Sequence, residues 1–111
     1  MTLLFTAYRK VRKMDELENA RKEIEEIDRE LAELFERRME LSAVIGKYKA
    51  ENGLPVRDPD RERALTEKNL SYLKNGELQP YYAGFLRKVI DLSCEVQNTI
   101  LHKTNLGGEE K

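Results

Sequence analysis

The chain has 111 residues, 37% of them charged and 40% apolar, with no tryptophan and a formal net charge of −1. That balance fits one domain of amphipathic helices with a modest core, and it excludes a globally basic nucleic-acid surface or an acidic tail. No apolar run approaches the roughly 18 residues of a membrane span, and the single cysteine, Cys94, rules out an internal disulfide and fits a reducing, cytoplasmic setting.

The first segment, MTLLFTAYRKVRK, is too short in its apolar stretch to be a signal peptide, and its charges lie on the wrong side. MDELENARKEI, beginning at Met14, reads as a natural helix start with Met14 as a candidate initiator, so residues 1–14 are expected to be a frayed or dispensable, disordered leader, with a short basic-amphipathic extension as the functional alternative. From Asp15 to about Asn52 the pattern is heptad-like. Leu17, Ile24, Leu31, Arg38 and Ile45 take one core position; Ala20, Ile27, Leu34, Leu41 and Tyr48 take the other. Asn52-Gly53 stops this helix, with Pro55 behind it.

Asp58-Pro59 opens a second helix, Asp58 as the N-cap and the proline at the first helical position, and Asn75-Gly76 is expected to end it at about Lys74. Gln79-Pro80 starts a third helix, which runs to about His102. Its apolar stripe takes in Tyr82, Leu86, Val89, Ser93, Val96, Gln97 and Ile100. The tail from residue 104 reads as disordered. The fold class is therefore all-α: three helices over residues 15–103, one of them very long, and no strands.

The first helix, at about 37 residues, is roughly 55 Å long, whereas a compact globule of this size is only some 35 Å across. Two shorter helices from the same chain cannot cover it. The seam needs a second copy, and an intertwined homodimeric bundle with antiparallel long helices is expected.

Several polar residues stand where apolar ones belong. Arg38 interrupts the seam, and a charge there costs several kcal/mol unless it is paired. Taken alone, Arg38 also fits a pairing with a partner carboxylate such as Asp28, or a packed stem with its head in water. Lys49 follows three helical turns later, about 16 Å along the same side; by itself it reads equally as a solvated helix-end cation. Arg21 lies about 25 Å before Arg38, too far to share a small ligand within one chain, but within reach of the partner's Arg38 in an antiparallel dimer. Ser93 and Gln97, four apart in the third helix, read singly as internal hydrogen-bonders and jointly as the lining of a polar cavity.

NGLPVRDPDRER, residues 52–63, sets three arginines at the start of the second helix, the end that prefers anions. Arg61 is expected to hold this loop by pairing with Asp58 or Asp60, while Arg57 and Arg63 read as plain surface charges. Glu62 is either a partner of the helix dipole or an inward-facing ligand contact. Such an excess of cations suits a loop that closes one end of an anion-binding cavity.

Three stretches in order, ARKEIEEIDRELAELFERRMELSAVIGKYK, NGLPVRDPDRER and SCEVQ, give the chain a resemblance to chorismate mutases of the all-helical class, over about residues 15–101. Such domains occur alone or fused to prephenate dehydratase and related enzymes. The resemblance implies conversion of chorismate to prephenate in phenylalanine and tyrosine biosynthesis, a pericyclic rearrangement that requires no nucleophile, cofactor or metal. It implies that Arg21 serves a substrate carboxylate in the partner's site and that Arg38 clamps a carboxylate within its own subunit. Lys49 and Gln97 resemble the pair at the ether oxygen. Asp58 and Glu62 resemble the residues at the ring hydroxyl, Arg61 the support of that loop, and Ser93 the serine near a carboxylate. Cys94 is expected to point off the pocket face, and both it and His102 read as structural.

Two rival functions remain at this level, beside a third reading in which the chain is a domain cut from a larger bifunctional protein. Isochorismate-pyruvate lyases share the fold and a similar set of cations, although Glu62 at the hydroxyl position favours the mutase. A non-catalytic helical dimer, regulating or docking onto an enzyme of the aromatic pathway, is the other.

Overall fold

The computed structural model describes the backbone of residues 6–110 and the side chains of residues 14–103. Three α-helices account for nearly all of it: α1 (Thr6–Glu51), α2 (Pro59–Leu70) and α3 (Gln79–Glu110), with a short 3-10 turn at Gly76–Leu78. Among the described residues there is no strand, and no helix is long and apolar enough to cross a membrane. α1 begins nine residues before the Asp15 start expected from sequence, and residues 1–5 of the expected leader lie outside the described residues. The backbone of α3 is helical past His102, through the stretch read from sequence as a disordered tail.

The chain divides into two compact units, at Glu36 and Arg37. In the first, every residue from Met14 to Glu36 is exposed. The seam residues Leu17, Ile24, Ile27, Leu31 and Leu34 are all among them, each about half accessible.

The second unit holds the core. Leu86, Val89, Ile90 and Cys94 of α3 are buried, and so are three polar side chains, Ser42, Ser93 and Gln97. Gly46 of α1 lies so close to α3 that a Cβ at that position would stand 2.9 Å from the Gln97 Cα.

Local chemistry fixes the ends of the helices. Gly53 takes a left-handed backbone, φ +65°, that other residues adopt only at a cost. The N–H of Leu54 then reaches back to the carbonyl of Lys49 at 2.9 Å, and the Asn52 side chain caps the carbonyl of Tyr48 at 2.8 Å. Asp58 caps α2 by accepting the Arg61 backbone N–H at 3.1 Å, with Pro59 at the first helical position. α2 ends at Leu70, four residues before the expected Lys74. There the Ser71 hydroxyl donates to the Lys68 carbonyl at 2.6 Å, and the Tyr72 and Leu73 amides bond three residues back instead of four. Asn75 does not end α2; its side chain accepts from the Glu77 N–H and caps the 3-10 turn instead.

Candidate active site

A cavity of about 370 Å³ opens within the second unit. α1 supplies Arg38, Ser42, Ile45 and Lys49 to its wall; α2 and the segment before it supply Asp58, Arg61 and Glu62; α3 supplies Ile90, Ser93, Cys94 and Gln97. The α3 set falls at i, i+3, i+4 and i+7, a single face of the helix.

Two cross-helix pairs organise the cavity. Arg38 Nη1 donates a hydrogen bond to Ser93 Oγ. Lys49 Nζ donates to Gln97 Oε1 at 2.9 Å and to the Val56 carbonyl at 2.6 Å. An ammonium group has three N–H bonds, so one remains for a ligand. The Gln97 amide oxygen is occupied by Lys49, which leaves its NH₂ as a further donor. The charged heads of Arg38 and Lys49 thus face one apolar-walled space, where charge interactions are stronger than in bulk water.

The acidic end is built at the start of α2. Glu62 Oε2 accepts from the Asp58 backbone N–H at 3.2 Å, and Glu62 Oε1 accepts from Arg57 Nη2 at 2.8 Å. Arg57 Nη1 donates in turn to Asp91 Oδ1 on α3, at 3.1 Å. The Asp91 hydrogen bond is the main reason the Arg57 pKa is raised, with the charges around it adding to the effect.

The geometry brings together seven of the eight residues singled out from sequence: Arg38, Lys49, Asp58, Arg61, Glu62, Ser93 and Gln97. Arg21 lies in the first unit and is exposed. Three expectations are corrected: the pairing of Arg61, the surface role of Arg57, and the placing of Cys94 off the pocket face. The Asp58 carboxylate accepts the Arg61 backbone N–H, not its guanidinium, and Asp60 pairs with Arg63 at 3.1 Å. The arginine that ties the loop is Arg57, because its guanidinium spans two carboxylates on different helices, so it is no plain surface charge. Cys94 lines the cavity, because it shares a face with Ile90 and Gln97. Its burial pushes the thiol pKa up, only partly offset by Arg57 and Lys49. Ser42 and Gly46 escaped notice in the sequence. Their only signal was small size on the Arg38–Lys49 side of α1.

Residues 20–98 match the family described as Chorismate mutase type II. The T-protein of Haemophilus influenzae is 36% identical over 92 residues, which is 82% of this chain and 24% of that protein. A bifunctional chorismate mutase/prephenate dehydratase of Aquifex aeolicus is 44% identical over 57 residues, 51% of this chain and 16% of the relative. The chain thus spans a quarter or less of the length of these two relatives. A 4-amino-4-deoxychorismate mutase of Streptomyces venezuelae is 24% identical over 98 residues, covering 87% of this chain and 95% of its own. No solved structure matches the chain. The matched span takes in every residue of the cavity wall, together with Arg21, and on that ground the chain belongs to the chorismate mutase type II family.

Proposed function

We propose that this chain isomerises chorismate to prephenate, in the cytoplasm, as an intertwined homodimer whose active sites are shared between subunits. The observation that carries the reading is the convergence of Arg38 and Lys49 on one cavity, each tied to a neutral hydrogen-bonding residue of α3. A volume of about 370 Å³ is at the small end of ligand sites, which run from about 300 to 1,000 Å³.

The chemistry needs a folded substrate and fixed charge. Chorismate is a flexible dianion, and its ether C–O bond breaks as the new C–C bond forms. Arg38 holds one carboxylate, with Ser93 beside it. Arg21, supplied by the partner, holds the other. Together they keep the ring and side chain in the reactive conformation. The unspent N–H of Lys49 and the NH₂ of Gln97 meet the negative charge that grows on the ether oxygen. Both donors are anchored before the reaction begins, which is what makes electrostatic stabilisation effective. Asp58 and Glu62 receive the ring hydroxyl, Arg57 ties the loop that carries them, and Arg61 stands on the cavity wall beside them.

The dimer reading rests on the exposed stripe of Leu17, Ile24, Ile27, Leu31 and Leu34, an apolar face at helical spacing that a second copy would cover.

The decisive measurement is chorismate consumption with the product identified, run beside 4-amino-4-deoxychorismate and isochorismate. Prephenate as the product supports the reading; pyruvate release from isochorismate alone would replace it with the lyase. Lys49→Ala is expected to lose about 100- to 1,000-fold in kcat, the usual cost of removing one such donor. Near-wild-type turnover by that variant sinks the assigned role.

A further inference from the structure

We propose that Arg57, braced by Asp91, is a positioning residue that holds Glu62 at the cavity wall and offsets its charge, so that the site prefers a substrate with a neutral ring hydroxyl over one with an ammonium group. The inference rests on the chorismate reading above, which puts the ring substituent at Asp58 and Glu62.

Arg57 does not line the chorismate cavity. It lines a second space of about 400 Å³, together with Glu62, Ile90 and Asp91. Glu62 and Ile90 border both spaces, so Glu62 is the wall between them, with Arg57 behind it. Each oxygen of Glu62 has its own donor: Oε1 takes Arg57 Nη2 at 2.8 Å, and Oε2 takes the Asp58 N–H at 3.2 Å. Arg57 is held from the other side by Asp91 at 3.1 Å. The bridge joins the loop, α2 and α3. Isolated pairs at this exposure contribute little to stability, but a network of charges can fix a geometry.

Charge decides the consequence. Asp58 and Glu62 together present two negative charges to the ring substituent, and an unopposed pair favours an ammonium. Among the described residues, the Asp60 carboxylate beside them is already paired with Arg63. The Arg57 guanidinium offsets Glu62 without entering the cavity, and Arg61 on the wall adds a second positive charge, so the two carboxylates draw an ammonium less strongly than an unopposed pair would. Discrimination of this kind comes from penalising the wrong substrate as much as from favouring the right one.

The test compares rates on chorismate and on 4-amino-4-deoxychorismate for the full chain and for Arg57→Ala, Arg57→Lys, Asp91→Asn, Glu62→Gln and the Arg57→Ala/Glu62→Gln double variant. Arg57→Ala is expected to lower kcat/KM for chorismate about tenfold and to move the ratio of the two substrates about tenfold towards the amine. Arg57→Lys restores part of both effects, since lysine keeps the charge but lacks the planar fork. Asp91→Asn loosens Arg57 but also removes a negative charge, so it is expected to lower kcat/KM for chorismate by a smaller factor with little change in the ratio. In the Glu62→Gln background, Arg57→Ala is expected to change the rate by less than about twofold, because coupled residues are not additive. Equal losses on both substrates in Arg57→Ala, or full additivity with Glu62→Gln, overturn the proposal. A readout without substrate separates it from the reaction itself. The Asp58 amide resonance should shift in Asp91→Asn, a change remote in sequence, as it does in Glu62→Gln, and an unmoved resonance in Asp91→Asn overturns the positioning role. If the wild-type chain converts neither substrate, the proposed reaction falls, while the amide signal still decides whether Arg57 holds Glu62.

Discussion

Lys49 is held by three contacts that come from different levels of the chain. Its carbonyl receives the Leu54 amide that closes the end of α1, and its ammonium reaches both Val56 in the following loop and Gln97 on α3. A long lysine side chain is ordinarily mobile, and fixing it costs rotamer entropy. Here that cost falls on folding rather than on the reaction. Cys94, beside this group, has a different character. Burial raises its thiol pKa, so the folded chain holds the thiol proton more tightly than the unfolded one. The sign of the linkage follows: the contribution is complete below the ordinary thiol pKa of about 8.5 and is lost as pH rises through the higher folded value. Thermal melts should therefore show wild type losing more stability than Cys94→Ala between about pH 8 and pH 10. Identical alkaline slopes would count against a buried, proton-holding thiol. Slow alkylation of Cys94 at neutral pH is the companion expectation, because the thiolate is the reactive form.

At the scale of the elements, the contact between α1 and α3 depends on one missing side chain. Gly46 leaves room for the Gln97 backbone, and the nearest obstacle to a methyl group is a Cα at 2.9 Å, which cannot rotate aside. Gly46→Ala must push the helices apart at the turn just before Lys49. Overpacking of this kind typically costs about 1–3 kcal/mol. Calorimetry should show that loss of stability, and kcat should fall with it as Lys49 and Gln97 separate. A variant with full activity and an unchanged melting temperature would show that the helices can part without moving the pair. Gly46 looked unremarkable in sequence, a small residue between Ile45 and Lys47. The end of α2 was misjudged for a similar reason. Asn75-Gly76 is a strong stop signal, but Ser71 offers its hydroxyl to a helix carbonyl earlier, and local competition of that sort leaves only a weak trace in sequence.

For the whole molecule, the exposed stripe on the first unit sets the main expectation. Leu17, Ile24, Ile27, Leu31 and Leu34 are each about half accessible, a large apolar surface for a chain of this size to leave in water. Light scattering should give twice the mass of one chain. Mixing offers a sharper check of shared sites. Arg21→Ala and Lys49→Ala chains are each expected to be nearly inactive alone. Unfolded and refolded together, they form hybrid dimers with one intact site each, and about a quarter of wild-type activity should return for an isologous dimer. No recovery, with hybrids demonstrably formed, would mean that Arg21 serves its own chain's site or none.

The sequence by itself determined that there are three helices, where α1 ends and where α2 begins, because hydrophobic spacing and the capping residues Gly53, Asp58 and Pro59 act over a few positions and can be read there. It also pointed to the chemistry, because a cation in an apolar seam, such as Arg38, conflicts with burial whatever the final packing. Only the tertiary structure decided which polar groups meet. Arg57 and Arg61 are near neighbours in one charged run, and nothing in their spacing tells which guanidinium reaches Glu62; Asp91, more than thirty residues further on, selects Arg57. Cys94 joined the cavity for the same reason. The angle at which α3 faces α1 and α2 is set by close packing at Gly46 and by the buried α3 core, and such long-range complementarity has no signature in any single stretch of the chain.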